Sequence, residues 1–512
     1  MDDKSLLYFA AQAATANPFE EHRDNLDFSI LGRKRGTLTP TQVLSELANA
    51  LEPALTRAKL IFPSSKFLAE TNTNDAFNDE RENIRKATLF ALFHRFLPDI
   101  DNYAILQTEQ NAPLKTPFAA KLFASLSEYG ASTQKARHYV ALFYQLRRAF
   151  LNIINLLSGN GPSISKLRVD VWNAIFTVHL DLHDSAQSGL LRDFPILLTG
   201  ETGTGKSSVA RIMGLSGYTP YDVDRGFATP FSDLFVPLNI AALTESLFEA
   251  ELFGVRKGAF TGAQDDRAGL LAQCKLQSIL FLDEIGELPE RMQVKLLGVL
   301  QERRFRALGD TKEQAFVGRI ISATHKDVGA LLSSGRMRED FFYRICAGTL
   351  HMPSLKTRLH EEDSLLEDLV TDALERVIGK GNAADLIKKT IVELHRGLPK
   401  NYQWPGNVRE LEQRVRQFLL TGTIGDFPSS NASLTAEFAP LIESAKKERE
   451  NMNDIKFETM IETLTQQSCS IDKISSSLAR RYLKTEGTYE KAARKAGVDW
   501  RTLKKLANSS AH

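Results

Sequence analysis

The chain has 512 residues, of which 43% are apolar and 25% charged, an ordinary composition for a soluble protein of about three domains. A formal net charge of +1 excludes the chain as a whole from being an electrostatic nucleic-acid binder, so any basic surface must be local. The three cysteines, Cys274, Cys346 and Cys469, are far apart, which argues against a disulfide framework or a zinc site and fits a reducing cytosol.

The first 158 residues are predicted to form a mostly helical region that carries regulation. Apolar residues recur at helical spacing between positions 140 and 157, and residues 158–162 then break the helix. Arg147 and Arg148 in the middle of this apolar stretch argue against a membrane span, and the start of the chain lacks the features of a secretion signal. We therefore expect a cytoplasmic protein without a membrane partner.

The signal that this N-terminal region senses is not readable from its pattern. No apolar strand near the start ends in paired acidic residues, so a phospho-receiver is not expected. A helical sensor for a small molecule and a docking surface for a protein partner are both open.

Residues 162–424 are predicted to form an α/β core with a helical lid. Apolar runs at 195–199, 279–282 and 319–324 are typical of buried strands in a parallel sheet. The core is expected to extend to about residue 354, and the lid to occupy 355–424. Segment 214–236 is irregular, and its role is not readable from the sequence.

A phosphate-binding loop follows the first of these strands. Its pattern is GxxxxGK[ST], in which glycines let backbone N–H groups converge on phosphates, and the lysine adds a positive charge near the β- and γ-phosphates. The hydroxyl of Ser207 is a candidate ligand for Mg²⁺. The predicted ATP-binding residues of the loop are Gly200, Glu201, Thr202, Gly203, Thr204, Gly205, Lys206 and Ser207.

Two carboxylates end the apolar run at 279–282. Asp283 is expected to emerge beside the phosphates and to hold the Mg²⁺ shell, and Glu284 to polarise the attacking water. The order of a phosphate loop followed by an acidic strand end makes this pair a strong indication of ATP hydrolysis.

Between the phosphate-binding loop and the two carboxylates lies the string Gly258, Ala259, Phe260, Thr261, Gly262 and Ala263. Its glycines and alanines favour an exposed hairpin tip, and an exposed Phe at such a tip is typical of a protein contact. With the flanking match from Glu251 to Gly269, the chain resembles the AAA+ activators of sigma-54 RNA polymerase, also called bacterial enhancer-binding proteins. The resemblance implies that Phe260 and Thr261 contact sigma-54 when ATP binding raises the loop.

The same resemblance assigns further residues around the nucleotide. Asn239 stands where the family has an asparagine that restrains the catalytic glutamate, and Thr324 corresponds to a polar sensor at a strand end. The family usually has Asn after that Thr, whereas this chain has His325, which leaves the hydrogen-bond partner of the sensor open. Arg409, in the string Trp404 to Leu411, matches the second sensor in the lid and would contact the nucleotide of its own subunit.

Arg338 and Arg344 lie in a segment that closely resembles the arginine fingers of the family. In a ring, which the resemblance implies is a hexamer, they would reach the γ-phosphate held by the neighbouring subunit. Fingers of this kind contribute on the order of 10³–10⁵ in turnover.

Residues 425–470 are predicted to be a linker, and residues 471–508 a helix-turn-helix that resembles the Fis-type domain ending most sigma-54 activators. Gly497 would make the turn, and local basic residues would hold phosphates. The predicted DNA-contact residues are Tyr489, Trp500, Arg501, Thr502, Lys504 and Lys505.

The chain is thus predicted to be a multidomain protein with a helical N-terminal region, an α/β P-loop AAA+ core with a helical lid, and an all-α C-terminal helix-turn-helix. The resemblance implies an ATPase that binds ATP and Mg²⁺, sits on enhancer DNA and remodels the sigma-54 polymerase closed complex. Two alternatives are a DNA-binding AAA+ regulator that does not activate sigma-54, and a protein-remodelling chaperone.

Overall fold

The computed structural model describes residues 1–61, 63–68, 78–110, 116–178, 190–224, 226–227, 234–260, 264–379, 384–399, 401–425 and 427. The chain divides into two units, Met1–Asp426 and Phe427–His512. The predicted helix-turn-helix at 471–508, with its DNA-contact residues from Tyr489 to Lys505, lies outside the described residues.

Helices fill the described part of the N-terminal region, as the apolar spacing predicts. Asp2 begins the first helix by accepting a hydrogen bond from the Ser5 N–H at 2.8 Å, and Pro162 begins the seventh, where a missing N–H costs nothing. A single 3₁₀ turn occupies Ser64–Lys66. The helices are α1 (Asp3–Thr15), α2 (Glu21–Leu31), α3 (Pro40–Ile61), α4 (Asn78–Gln110), α5 (Pro117–Glu128), α6 (Thr133–Leu156) and α7 (Pro162–Phe176).

A five-stranded parallel sheet forms the centre of the α/β core, and two-residue strands form three small hairpins beside it. The strands in the described part of the chain are β1 (Ile196–Thr199), β2 (Tyr221–Asp222), β3 (Gly226–Phe227), β4 (Phe235–Asn239), β5 (Gly254–Val255), β6 (Arg267–Ala268), β7 (Ile279–Asp283), β8 (Arg304–Phe305), β9 (Gln314–Ala315), β10 (Arg319–Thr324) and β11 (Gly348–His351). The order in the main sheet is β11-β1-β10-β7-β4. The runs predicted at 195–199, 279–282 and 319–324 are its three central strands.

The central strands are buried on both faces because helices cover both sides of the sheet, which is why they read as continuous apolar runs. Short 3₁₀ turns lie at Leu190–Asp193, Ile240–Ala242 and Ile285–Glu287. The helices of the core are α8 (Lys206–Leu215), α9 (Glu245–Phe253), α10 (Leu270–Gln273), α11 (Glu290–Glu302), α12 (Val328–Ser333) and α13 (Glu339–Ile345). The predicted lid is helical and comprises α14 (Leu355–Glu361), α15 (Leu365–Ile378), α16 (Ala384–Gly397) and α17 (Asn407–Thr421).

The N-terminal helices and the α/β core share one hydrophobic core on one face of the sheet. Ala149 and Ile153 of α6 and Phe176 of α7 are fully buried in a cluster that also contains Leu198 of β1 and Ile212 of α8. The free energy gained by burying this apolar surface therefore stabilises both regions together, at about 25 cal/mol per Å². The two regions accordingly fall within the single unit Met1–Asp426.

The irregular segment after α8 also contacts the N-terminal helices. Tyr221 belongs to their buried cluster, and the ring of Phe227 lies 4.4 Å from the ring of Tyr144 in α6, centroid to centroid. This part of segment 214–236 therefore joins the helical region to the core. None of the helices in the described residues is both long and apolar enough to cross a membrane.

Candidate functional site

The phosphate-binding loop lies between the end of β1 and the start of α8, with the lid close above it. Gly203 has a φ of +80°, and a Cβ at this position would lie 2.1 Å from the Gly406 carbonyl oxygen of the lid. Gly200 has a φ of +134°, and a Cβ there would meet the Met352 carbonyl oxygen at 2.8 Å. Only glycine fits these two positions without strain, so the loop keeps its backbone open for an anion.

Lys206 points its ammonium group back into this loop. Its Nζ donates hydrogen bonds to the carbonyl oxygens of Gly200 at 2.7 Å and Glu201 at 2.9 Å. Burial lowers the pKa of Lys206, and the nearby Glu284 and Asp283 carboxylates oppose that shift. An incoming phosphate would stabilise this buried charge, so the loop offers the positive charge that binding of a nucleoside triphosphate requires.

Ser207 and Asp283, the two residues that the sequence predicts as Mg²⁺ ligands, are in contact with each other. The Ser207 hydroxyl donates to Asp283 Oδ2 at 3.0 Å, although 76 residues separate the two positions in the chain. Asp283 also accepts from the Glu284 N–H at 3.1 Å. Hydroxyl and carboxylate oxygens are ligands that Mg²⁺ prefers, and here one of each lies side by side, so this pair fits the ion.

Glu284 has a partner that the sequence does not reveal. His325 Nδ1 lies 2.7 Å from Glu284 Oε2, and because a carboxylate only accepts, the ring N–H donates. Glu284 itself has a φ of +58°, a left-handed conformation that is uncommon for a residue other than glycine. The backbone turn and the imidazole together aim the carboxylate, so His325 is a positioning residue for Glu284.

The two polar residues predicted near Glu284 lie at the ends of β4 and β10, the strands on either side of β7. Asn239, the last residue of β4, is in register with Asp283, but among the described residues no hydrogen bond joins its side chain to Glu284. Thr324 is fully buried, and its Oγ1 accepts from the Lys326 N–H at 3.1 Å. Their roles toward the nucleotide stay predictions.

The lid is attached to the phosphate loop through Asn407, which the sequence analysis did not single out. Its Nδ2 donates to Glu201 Oε2 at 2.9 Å and to the Thr202 carbonyl at 3.0 Å. Its Oδ1 accepts from the Leu355 N–H at 2.7 Å, so one buried side chain joins loop, α14 and α17. Two residues on, the Arg409 Cβ lies 3.1 Å from the place that a Cβ on Gly203 would take, so Arg409 lies beside the loop, and its contact with the nucleotide stays a prediction.

The two predicted arginine fingers lie at opposite ends of α13. Arg338 precedes the helix and pairs with Asp340 at 2.8 Å and with Glu290 at 3.4 Å. Arg344 lies in the last turn and is exposed. Neither ion pair of Arg338 is buried, so each contributes little free energy, and Arg338 can leave these carboxylates to bind another anion.

The string from Gly258 belongs to a hairpin whose base is β5 and β6. Gly258 has a φ of +84°, the Ala259 N–H closes a turn on the Arg256 carbonyl at 3.0 Å, and Phe260 is 52% exposed. Thr261, Gly262 and Ala263 lie outside the described residues. The described half of the tip therefore presents its aromatic ring to solvent, as the sequence predicts.

A second hairpin, β8 and β9, supports the first one. The Arg256 N–H donates to the Leu308 carbonyl and the Leu308 N–H donates to the Gly254 carbonyl, both at 2.9 Å. The Arg256 side chain donates to Asp310 Oδ2 at 2.8 Å and also pairs with Asp266. The two hairpins are therefore joined at the base of the exposed tip.

Known proteins resemble this chain most clearly in the region just described. Residues 177–351 match the sigma-54 interaction domain. Response regulator protein PilR of Pseudomonas aeruginosa is 40% identical over 225 residues, 44% of this chain and 46% of that protein. DNA-binding transcriptional regulator NtrC of Azospirillum brasilense is 38% identical over 225 residues, 44% of this chain and 43% of that protein.

A longer match joins the chain to regulatory protein AtoC of Escherichia coli K12. The two are 31% identical over 336 residues, which are 63% of this chain and 68% of AtoC. By contrast, the matches to PilR and NtrC span less than half the length of those relatives.

Proposed function

The chain belongs to the sigma-54-dependent transcriptional regulators of the AAA+ class, and from this premise we propose that it is an ATP-dependent activator of sigma-54 promoters. In this proposal it hydrolyses ATP, binds upstream DNA and remodels the sigma-54 polymerase closed complex until the promoter opens. The observation that carries the proposal is the meeting of Lys206, Ser207 and Asp283 beside a Glu284 carboxylate held in place by His325.

The residues of the site divide the work of hydrolysis in a simple way. Lys206 and the loop N–H groups would hold the phosphates, and Ser207 and Asp283 would hold Mg²⁺, which neutralises charge that develops on the transferred phosphoryl group. Glu284 would orient a water molecule and accept its proton, a step worth about 10²–10⁴ in rate. Arg409 would sense the nucleotide from the lid, with Asn239 and Thr324 at the neighbouring strand ends.

The exposed hairpin would carry the result of hydrolysis to the polymerase. Phe260 and Thr261 are proposed as the sigma-54 contacts, flanked by Gly258, Ala259, Gly262 and Ala263. In a ring, Arg338 and Arg344 would reach the nucleotide of the adjacent subunit, and a hexamer is the proposed assembly. Residues 471–508 would bring this ring to enhancer DNA after a linker at 425–470.

The test is a transcription assay with purified protein on a sigma-54 promoter. We expect open complexes that require both this protein and hydrolysable ATP. If DNA is bound in a sequence-preferring manner but no open complex forms with ATP present, the chain is a regulator that does not activate. If no DNA is preferred at all, the chaperone alternative gains support.

A further inference from the structure

A cavity of about 140 Å³ lies inside the N-terminal helical region, away from the nucleotide site. It is partly open to solvent and is lined by the end of α1, the α1–α2 connection, Arg23 of α2 and residues of α3, α4, α6 and α7. An apolar protein cavity of about 150 Å³ is large enough for a benzene ring. The volume therefore suits one aromatic ring, and because the cavity is partly open to solvent, a short substituent on that ring can extend out of it.

The walls of this cavity are mainly aromatic and aliphatic. Phe93 and Phe143 meet edge to face with ring centroids 5.3 Å apart, and Phe150 and Trp172 approach from the α6 and α7 side. Such walls bind a flat apolar group through burial and through edge or face contacts, as is typical of small-molecule sites.

Four cationic side chains also line the cavity: Arg23, Arg85, Lys86 and Arg147. No Asp or Glu is among the lining residues in the described part of the chain. Three carboxylates, Asp27, Asp101 and Glu82, pair with these four cations, so the group keeps an excess of positive charge that favours an anionic ligand over a cationic one.

The cations are held in place by carboxylates that lie outside the cavity. Arg23 donates to Asp27 at 2.9 Å, and Arg147 pairs with Asp101 while its guanidinium lies 4.8 Å from the ring centroid of Phe150. These contacts fix the side chains before any ligand arrives, which lowers the entropy cost of binding. Glu82 likewise pairs with Arg85 at 2.7 Å and with Lys86 at 3.8 Å.

A buried histidine completes the wall without adding charge. His94 Nδ1 donates to the Phe90 carbonyl at 2.9 Å, and its Nε2 faces Arg23 at 3.5 Å. Burial, reinforced by Arg23 and opposed by the hydrogen bond to Phe90, lowers the pKa of His94 to about 3, so the imidazole is neutral at physiological pH. Its Nε2 therefore offers a lone pair toward the Arg23 guanidinium.

We propose that this cavity is a binding site for a small aromatic monocarboxylate, with the ring among the phenylalanines and the carboxylate among the four cations. The assignment rests on the volume, the aromatic walls and the one-signed charge of the lining. It does not depend on the proposed ATPase activity.

The position of the cavity makes it a candidate sensor for the motor. Helix α6 presents Leu142, Phe143 and Phe150 to the cavity, while Gln145 and Asn152 on its opposite face bond Ser216 at the end of α8. Helix α8 starts at Lys206 in the phosphate loop. A ligand that shifts α6 would therefore act on the helix that carries the loop, a consequence that does rest on the proposed function.

The binding test uses the full-length protein and three probes of nearly equal shape in isothermal titration calorimetry. Phenylacetate is an anion, 2-phenylethanol is neutral and 2-phenylethylamine is a cation. We expect phenylacetate to saturate one site per chain with a Kd of about 10 µM to 1 mM, the range for a ligand of about ten non-hydrogen atoms. We expect 2-phenylethanol to bind at least about tenfold more weakly, since it lacks the charge-assisted bonds, and the amine not to bind.

Two variants locate the site. Leu89→Trp fills the cavity from α4 and should abolish phenylacetate binding, whereas Leu60→Trp, at an exposed position of α3, should leave it unchanged. Lys86→Met keeps most of the side-chain volume and should weaken phenylacetate by about tenfold while leaving 2-phenylethanol unaffected. Equal affinity for the anion and the alcohol, no saturable binding below about 10 mM, or normal phenylacetate binding by both Leu89→Trp and Lys86→Met would overturn the proposal.

Discussion

At the residue scale, His325 is a position where this chain differs from the family pattern that it resembles. The resemblance implies Asn at this place, but the sequence does not show what the imidazole contacts. That contact depends on β10 and β7 being neighbours in the sheet, so that residues after their ends meet across 41 positions of sequence. Strand order is a long-range property, which a local pattern does not determine.

Replacing Glu284 tests whether it is the residue that activates water. Glu284→Gln keeps the shape and one acceptor but removes the carboxylate base, so ATP should still bind while turnover falls by about 10²-fold or more. Nucleotide affinity and phosphate release, measured on the same preparation, separate the two effects. Undiminished turnover would remove Glu284 from this role.

Replacing His325 tests the positioning of that carboxylate. His325→Ala removes the donor, so kcat for ATP should fall by about tenfold with little change in KM, whereas His325→Asn restores a donor and should retain more activity. His360→Ala, an exposed histidine of α14, is the matched control. If His325→Ala has the kinetics of the unmodified chain, the hydrogen bond seen here has no part in hydrolysis.

At the element scale, apolar runs are enough to predict the three central strands, because strands buried on both faces carry an uninterrupted signal. The edge strand β4 is less evident, since Pro237 and an alternation of exposed and buried residues interrupt it. The two-residue strands of the hairpins leave no periodic signal at all. The packing of the β5–β6 hairpin on the β8–β9 hairpin is set by contacts such as that of Arg256 with Asp310, which are distant in sequence.

The lid should depend on Asn407 for its attachment to the phosphate loop. Asn407→Ala removes three hydrogen bonds made by a fully buried side chain. It also places alanine at a φ of +51°, a left-handed conformation that Asn adopts more readily than Ala. We expect a local cost of about 2–3 kcal/mol, a lower melting temperature and weaker ATP binding. Asn25→Ala, on the exposed face of α2, should change neither quantity, and a melting temperature unaffected by Asn407→Ala would contradict this account.

The support given by the second hairpin can be separated from hydrolysis. The Lys312 backbone N–H and the Arg256 guanidinium lower the pKa of Asp310, so this carboxylate is charged when it holds Arg256. Asp310→Asn should loosen the base of the exposed tip, reducing open-complex yield a few-fold with unchanged ATP turnover. Glu313→Gln is the matched control, because Glu313 pairs with Arg304 and Arg306 within the second hairpin itself. Equal yields from both variants would show that Arg256 and Asp310 are not needed for the coupling.

At the scale of the whole molecule, the sequence predicts a helical N-terminal region and an AAA+ core, but it does not predict that the two share a hydrophobic core. The helix break that the sequence predicts between residues 1–158 and 162–424 lies between α6 and α7. In the structure, helix α6 contacts both regions: one of its faces lines the cavity of the N-terminal region, and the other contacts α8 of the core. This arrangement depends on which helix faces meet, and amphipathic spacing alone does not choose the partner of a face.

We propose that the exposed hairpin couples ATP hydrolysis in the core to promoter opening. A direct test compares the unmodified chain with Thr261→Ala in open-complex formation on a sigma-54 promoter, at matched rates of ATP hydrolysis. We expect Thr261→Ala to hydrolyse ATP nearly as fast as the unmodified chain but to form almost no open complex. If Thr261→Ala forms open complexes equally well, the hairpin does not couple the two processes.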